Sequence, residues 1–226
     1  MVASIIFGAL LAWIQAAEPA AVPRISATDT AYLSCITWTG KEWTEPTARS
    51  ASSPVLVSAK GLRAYAEVKV VVKGGSCENA STLHIASGSD HPSKVVYAQP
   101  KSGTGDGNGI RVVGWSPSGG KLLAEVNFWK YETDRGFTHL PVIYDASTGR
   151  TAEIRGLAKA LERRFGQHCE YEPSLIGWKT EGTFLVKVSR TPPDESYEQH
   201  FCVTEPLVFA YDLLKQTVEH EPVSKN

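Results

Sequence analysis

The sequence contains three copies of one short segment, and this repeat constrains the fold more than any other feature. VSAKGLRAYAEV at residues 57–68 aligns without a gap with WSPSGGKLLAEV at 115–126, where Ser, Gly, Ala, Glu and Val coincide. WKTEGTFLVKV at residues 178–188 is a third copy with one deletion. Each copy is followed, after a polar loop, by a second apolar run. Self-similarity of this kind predicts a chain built from repeated supersecondary units.

The residue pattern within each copy is typical of β-strands. LRAYAEVKVVV, KLLAEVNFW and TFLVKVSR are rich in Val, Leu and aromatic residues and are bounded by Gly, Ser and Pro. The corners SAKG and SPSGG, and the segment YDASTGRTAEI, have the composition of turns. We therefore predict an all-β domain at residues 18–226, made of repeated four-stranded antiparallel meanders. The units lie at about residues 55–98, 110–150 and 172–219, with a half unit at 32–46.

Two segments interrupt the strand pattern. TAEIRGLAKALERRFG, at residues 151–166, predicts one helix near 152–165 with Gly166 at its C-cap. The apolar face of this helix is formed by residues at helical spacing, namely Ile154, Leu157, Ala158, Leu161 and Phe165. QPKSGTGDGNG, at residues 99–109, is rich in Gly and is predicted to be a flexible connector between the first two units.

The second unit carries the residues of a family resemblance. WSPSGGKLLAEV, followed by VIYDASTG, resembles the blade of the TolB-like, WD40-like β-propeller class, in which a W-S-P-D-G-K turn enters a strand and a Y-D-x-x-T-G hairpin closes the blade. The matching positions are Trp115, Ser116, Pro117, Gly119, Lys121, Tyr144, Asp145, Thr148 and Gly149. Ser118 replaces the usual Asp. The other units keep less of the motif: Ser58 and Gly61 in the first, Trp178 and Gly182 in the third. The resemblance implies a small or incomplete β-propeller.

The number of units leaves the closure of such a propeller open. Propellers typically close with four to eight blades, which protects the sheet edges, whereas three and a half units are counted in this chain. Either residues 25–55 form a degenerate fourth blade, or the sheets stack without closing, or two chains complete each other. Because exposed edge strands pair readily with another chain, a homodimer through sheet edges is one predicted assembly.

The N-terminal residues and the cysteines indicate export. Residues 1–17 are uncharged, mostly apolar and end in small residues, which is typical of a secretory signal peptide. In an exported chain, secreted or periplasmic, four cysteines are expected to form two disulfides. We favour Cys35–Cys77 and Cys169–Cys202, because these pairings close the shorter loops and each would link parts of one repeat.

Charge, hydropathy and motif context disfavour several functions. With 23 basic and 24 acidic residues and no basic block, the chain lacks the electrostatic pattern of a nucleic-acid-binding protein. No segment after the signal is apolar enough to span a bilayer. The motif G-x-S-x-G is absent around Ser116 and a strand follows, so Ser116 is predicted to be a corner residue and not a nucleophile. No cofactor is predicted. Zinc is an alternative to the second disulfide, with a ligand set that lacks C-x2-C spacing: His168, Cys169, His200 and Cys202.

The loops between the second and third strands of each unit are predicted to emerge on one side of the sheets. Two of these loops place aromatic residues beside charged ones, a composition that interface hot spots favour. The predicted binding residues are Phe128, Trp129, Tyr131, Asp134, Arg135 and Tyr197.

These patterns predict an exported, non-catalytic β-repeat protein that binds another protein or a cell-envelope component. One alternative is a hydrolase whose catalytic groups converge from different loops, with Asp134, Asp194, Glu195 and His200 as candidates. Another is a remnant of a peptidase-associated propeller domain.

Overall fold

The chain forms fourteen strands and one helix within the part that the computed structural model describes, residues 30–35, 41–42, 46–88, 91–103, 106–130, 137–191 and 200–222. The strands are β1 Thr30–Ser34, β2 Arg49–Ser52, β3 Leu56–Val57, β4 Arg63–Lys73, β5 Ser76–Ala86, β6 Lys94–Ala98, β7 Asp106–Trp115, β8 Lys121–Lys130, β9 Phe137–Asp145, β10 Arg150–Glu153, β11 Glu172–Thr180, β12 Thr183–Ser189, β13 Leu207–Asp212 and β14 Thr217–Glu221. The helix, α1 Gly156–Phe165, lies between β10 and β11.

The strands form three antiparallel sheets that correspond to the three predicted units. The first sheet has the order β2-β4-β5-β6, with β3 also paired to β4. The middle sheet is β1-β7-β8-β9-β10, and the third is β11-β12-β13-β14. Within each sheet the later strands follow one another as hairpins, because turn residues separate strands rich in Val, Leu and aromatic residues. The prediction of a mainly β chain made of repeated antiparallel sheets is confirmed.

The N-terminal strand does not belong to a separate half unit. β1 pairs antiparallel with β7 from Thr30↔Arg111 to Ser34↔Gly107, so it extends the middle sheet by a fifth strand. This position covers part of the β7 edge, which would otherwise present unpaired backbone groups. The remainder of the predicted half unit, at 36–40 and 43–45, lies outside the described residues.

The described residues form two large hydrophobic cores between the sheets and one small cluster around the Cys35–Cys77 disulfide. The first core lies between the first and middle sheets and includes Ala66, Leu83, Ile110 and Leu122, all fully buried. The second core lies between the middle sheet, α1 and the third sheet, and it includes Phe184, Phe209, Tyr211 and Leu161. β8 shows the consequence for the sequence: residues 122–127 are buried without alternation, because both faces of the middle sheet are covered.

Two tryptophans link consecutive sheets in the same way. Trp115 ends β7 and donates its indole N–H to the Leu56 carbonyl of the first sheet at 3.3 Å. Trp178 in β11 donates to the Gly114 carbonyl of the middle sheet at 3.0 Å. In the repeat alignment Leu56 and Gly114 occupy equivalent positions, each one residue before the aligned Val57 and Trp115. Both tryptophans therefore pack between consecutive sheets at equivalent repeat positions.

The helix is shorter than predicted and begins later. Residues 152–153, the start of the predicted helix, belong instead to β10, which pairs with β9 from Arg150↔Asp145 to Glu153↔Val142. Gly166 ends the helix as predicted, with positive φ and its N–H bonded to the Glu162 carbonyl. The buried face also differs from the prediction, because Ala160 is buried and Ala158 is exposed.

The predicted flexible connector is partly a buried strand. β7 begins at Asp106, and Gly107, Asn108 and Gly109 are buried. The Asn108 side chain makes this possible, since it accepts a hydrogen bond from the Ser81 hydroxyl and donates to the Pro100 carbonyl. Nearby, Asn79 is fully buried and donates to the Asp106 carbonyl at 2.7 Å. Asn79-Ala80-Ser81 matches the N-glycosylation pattern N-x-S/T, and its asparagine side chain is inaccessible in the folded chain.

Both predicted disulfides are present. Cys169–Cys202 links the segment after α1 to the segment before β13, within the third unit. Cys35–Cys77 differs from the expectation that each disulfide staples one repeat, because Cys35 follows β1 of the middle sheet and Cys77 lies in β5 of the first. Two disulfides fit a protein of an oxidising compartment, secreted or periplasmic.

The described residues contain three separate sheets, and no closed barrel or propeller is detected among them. Within the same residues, no helix has the length and apolar character needed to cross a lipid bilayer. The predicted signal peptide, at residues 1–17, lies outside the described part of the chain.

Candidate functional site

The corners of the three units meet at one end of the sheets, which we call the turn end. The corner turns are residues 58–62 between β3 and β4, 116–120 between β7 and β8, and 181–182 between β11 and β12. A Cβ atom added to Gly119 would lie 3.0 Å from the Ala59 backbone nitrogen, so the first two corners are in close contact. The Ser118 N–H donates to the Glu181 carboxylate at 2.5 Å, which joins the second corner to the third.

The first two corners have the same hydrogen bonds. The Ser58 hydroxyl oxygen accepts from the Leu62 N–H at 3.0 Å, and the Ser116 hydroxyl oxygen accepts from the Lys121 N–H at 3.1 Å. Gly61 and Gly119 both have positive φ, which the turn requires at this position. Ser116 is only 3% exposed and holds a strand corner closed. This geometry supports the prediction that Ser116 is architectural.

Each of the last two units has a second turn at the same end, between its third and fourth strands. Asp145 Oδ1 accepts from the Ser147 N–H at 2.8 Å, and Asp212 Oδ1 accepts from the Leu214 N–H at 2.9 Å. Both turns close with a positive-φ residue, Gly149 in the middle sheet and Gln216 in the third. The second and third units are therefore equivalent in this turn, which the sequence YDASTG predicted only for the second.

An open cleft of about 460 Å³ lies where these turns converge, and we call it the turn-end cleft. Residues of all three units line it: Lys60, Leu62, Ser118, Lys121, Asp145 and Glu181. This cleft was not predicted from the sequence, where binding was expected at the opposite end of the sheets. The sequence feature that could have indicated this cleft is the lysine in each of the first two corners, SAKG and GGK.

The two carboxylates of the turn-end cleft are held by hydrogen bonds. The Ser118 N–H lowers the pKa of Glu181, and the Ser147 hydroxyl lowers the pKa of Asp145, since both donors stabilise the charged form. The Lys121 ammonium donates to the Glu181 backbone carbonyl at 3.2 Å. Both carboxylates are therefore ionised at neutral pH; Asp145 is bound within its own turn, whereas Glu181 is bound to the second corner.

Binding was predicted for the loops at the opposite end of the sheets, which we call the loop end and define by the β4–β5, β8–β9 and β12–β13 connections. Phe128 is partly buried in β8, opposite Asn108 and Thr138. Trp129 follows in the same strand, but its side chain is outside the described part. The other four lie outside the described residues altogether: Tyr131, Asp134, Arg135 and Tyr197. Their role in binding stays a prediction.

A buried charged cluster joins the middle sheet to the third. The Arg111 guanidinium donates to Glu125 at 2.6 and 2.9 Å and to the Leu175 carbonyl at 2.7 Å. Glu125 accepts in turn from the Leu175 N–H at 3.2 Å, so the pair binds both backbone groups of one β11 residue. Burial alone would raise the pKa of Glu125, but adjacent His139 and Arg111 outweigh it and lower the pKa. The cluster holds the third sheet against the middle sheet. In the sequence it could be found as charged residues within otherwise apolar strands.

The described histidine nearest to a catalytic arrangement is His84. Its Nδ1 lies 3.3 Å from the Ser93 hydroxyl, and its Nε2 lies 2.9 Å from the Thr82 hydroxyl and 3.8 Å from Glu67. The ring stacks on Tyr65 at 4.7 Å, and burial lowers the pKa of His84. These residues lie on the face of the first sheet that points away from the middle sheet, and none of them lines the turn-end cleft.

The residues proposed for zinc and for hydrolysis do not form a site among the described residues. Cys169 and Cys202 are bonded to each other, so neither sulfur is a thiolate that could bind zinc. No group of three or more His, Cys, Asp or Glu side chains suited to a metal ion occurs in the described ranges. His200 is exposed, and its backbone carbonyl accepts from the Glu170 N–H. The other hydrolase candidates, Asp134, Asp194 and Glu195, lie outside those ranges.

Comparison with known proteins assigns no family to this arrangement. The chain matches no protein-family model, and no curated protein and no solved structure resembles it significantly.

Proposed function

We propose that the protein is an exported, non-catalytic β-repeat protein that binds another protein or a cell-envelope component. The observation that carries this proposal is the turn-end cleft, to which three consecutive units contribute. The side chains with reactive potential are used elsewhere: Ser116 closes a corner, and Glu125 binds the backbone of the third sheet. A scaffold that exposes a polar cleft and keeps these groups in structural contacts suits binding better than turnover.

An exposed residue in the first sheet supports a stack of sheets that does not close into a ring. Val57 occupies the position of Trp115 and Trp178 in the repeat alignment, and it is 62% exposed. An exposed valine at this position fits a first sheet that no preceding sheet covers. We interpret the chain as an incomplete propeller of three stacked sheets, in which both the turn end and the loop end are accessible to partners.

Site-dependent capture tests the binding role. The full chain, carrying a C-terminal tag, is cross-linked in an envelope extract and its partners are quantified by mass spectrometry. Three variants are compared with it: Phe128→Ala with Trp129→Ala at the loop end, Lys60→Gln with Lys121→Gln at the turn end, and Thr217→Ala as a control. We expect a partner that the wild type and the control capture equally and that one of the end variants loses.

Two results would contradict the proposal. One is capture that no end variant changes, which would indicate nonspecific association. The other is turnover of an ester or peptide substrate that disappears in His84→Ala or Ser93→Ala, because these side chains form the nearest approach to a base and nucleophile in the described residues. Thermal unfolding of each variant distinguishes a lost site from a lost fold.

A further inference from the structure

We propose that His139 forms a proton-dependent contact between the middle and third sheets, holding the carboxylates of Glu125 and Glu172 together when its imidazole is protonated. Loss of the proton weakens this contact, so the packing of β11 on the middle sheet depends on pH. The proposal goes beyond the binding role proposed above and does not depend on it, because it concerns the response of the sheet stack to its surroundings.

The two ring nitrogens of His139 face two different carboxylates. Nδ1 lies 3.5 Å from Glu125 Oε1 of the middle sheet, and Nε2 lies 3.8 Å from Glu172 Oε1 of the third sheet. The His139 side chain is only 14% exposed, whereas Glu172 is 44% exposed. A neutral imidazole has one N–H, so it can donate to one carboxylate while its other nitrogen directs a lone pair at the second. Only the imidazolium form can donate to both.

The charged and titratable groups around His139 come from four parts of the described chain. They are Glu125 in β8, Arg111 in β7, Tyr171 and Glu172 where β11 begins, and Arg155 before α1. Arg155 is paired with Glu153 at 2.8 Å, so these two charges cancel. Burial raises the pKa of Tyr171, which is therefore uncharged. The helix α1 contributes only apolar residues to the small cavity that His139 lines.

The balance of the remaining charges favours the imidazolium form. The Arg111 guanidinium binds Glu125 at 2.6 Å, so Arg111 and the two carboxylates leave one negative charge in excess while His139 is neutral. A proton on His139 cancels this excess inside an interface, where charges attract more strongly than in water. Although burial raises it, contact with His139 and Arg111 lowers the pKa of Glu125 overall, so this carboxylate stays ionised in mild acid.

The direction of the pH dependence follows from this balance. Histidine side chains change charge between about pH 5 and 8. Because the folded contact favours protonated His139, the stabilisation is present in mild acid and is lost as the pH rises through this range. The effect of the Glu125 carboxylate has the opposite sign and a different range, since it is lost only as the pH falls below the ordinary carboxyl pKa of 4.5.

Amide hydrogen exchange of the full chain at about pH 5.5 and about pH 8, near the two limits of histidine titration, tests the proposal. The Leu175 N–H reports on the contact between the sheets, because it donates to Glu125 Oε1 at 3.2 Å. The variants are His139→Gln and Glu172→Gln, with the exposed His91→Gln as the matched control. We expect each of the first two to lower the protection of Leu175 roughly tenfold relative to wild type at the acidic pH, the scale of one opposite-charge contact, and far less at the alkaline pH. His91→Gln should match the wild type at both.

Three outcomes would overturn the proposal: unchanged Leu175 protection in His139→Gln at the acidic pH, a loss of the same size at both pH values, or full acid-dependent protection in Glu172→Gln. A loss of equal size at both pH values would indicate that His139 only fills space. Protected amides in β5 of the first sheet confirm that each variant is folded. If His139→Gln does not fold, the pH dependence of Leu175 protection in Glu172→Gln decides the question.

Discussion

Glu125 illustrates how a charge is accommodated between two sheets. Its carboxylate is 3% exposed and accepts hydrogen bonds from Arg111 and from the Leu175 N–H, and His139 lies 3.5 Å away. Glu172 approaches the other side of His139 at 3.8 Å. A buried ion pair gives modest net stability, but removal of one member leaves an uncompensated charge. The cluster therefore fixes the position of β11 against the middle sheet.

Glu125→Gln should lower the free energy of unfolding by about 3 kcal/mol at neutral pH, because Arg111 then remains buried without its counter-ion. The contribution also depends on pH. Since the pKa of Glu125 is lowered from its ordinary value of 4.5, the stabilisation is present above that pH and is lost as the pH falls through the lower folded-state value. Urea unfolding from pH 7 down to pH 3 measures both effects.

The matched control is Glu78→Gln, which removes an exposed ion pair with Lys101. We expect this variant to unfold almost as the wild type does, since exposed pairs contribute little. A Glu125→Gln protein as stable as the control, or a difference that does not decrease in acid, would contradict the assigned role of the cluster.

Gln216 is the one described residue other than glycine with positive φ, at 54°. Gly149 fills the equivalent turn position in the middle sheet, at 66°. Gln216→Gly should therefore raise the free energy of unfolding by about 0.5–1 kcal/mol, because relief of the left-handed strain exceeds the entropy that glycine adds to the unfolded chain. Gly149→Ala should lower it by a similar amount. Denaturant titration of both variants, with opposite signs expected, checks this equivalence.

At the scale of elements, the sequence predicted strands better than their boundaries. The repeated corners and apolar runs predicted the three sheets, because alternation and turn chemistry are local properties. The predicted start of the helix, near residue 152, was wrong, because the backbone groups of β10, Arg150–Glu153, pair with β9. The prediction of a flexible connector was wrong for residues 106–109 for a similar reason. These residues pair with β1 and β8, and local composition does not reveal such distant partners.

The equivalence of the corners predicts equal effects of equivalent substitutions. Ser58→Ala and Ser116→Ala each remove a buried hydroxyl that accepts a backbone N–H, so each should lower the free energy of unfolding by about 1–2 kcal/mol. Ser118→Ala, on an exposed side chain of the same turn, should have a smaller effect. Unfolding midpoints of the three variants provide the comparison. A large loss for Ser116→Ala alone would contradict equivalence.

At the scale of the whole molecule, three sheets stack through equivalent contacts, and a disulfide links the first two. Repetition in the sequence predicted the units. Both disulfide pairings were predicted because they close the shorter loops, although Cys35–Cys77 links two sheets instead of parts of one repeat. The turn-end cleft could not be predicted, because it depends on how corners of different units meet: Lys60 approaches Gly120 only when the first sheet packs on the middle one. The predicted loop-end residues stay a hypothesis, since of these only the Phe128 side chain lies in the described part.

The two disulfides should differ in their resistance to reduction. Cys35 and Cys77 are 1% and 3% exposed, whereas Cys202 is exposed and Cys169 is partly exposed. Because thiol attack requires access to a sulfur, we expect increasing reductant to open Cys169–Cys202 first under native conditions. Alkylation followed by peptide mass spectrometry identifies the order. Earlier labelling of Cys35 and Cys77 would contradict the buried link between the first two sheets.

Nuclear Overhauser effects of the two indole protons test the stacking of equivalent units most directly. The structure places the Trp115 indole N–H at the Leu56 carbonyl and the Trp178 indole N–H at the Gly114 carbonyl. With these resonances assigned, we predict cross-peaks from Trp115 Hε1 to Leu56 or Val57 and from Trp178 Hε1 to Gly114 or Trp115. Cross-peaks that instead place the two indoles in unlike surroundings, away from the preceding sheet, would contradict the account.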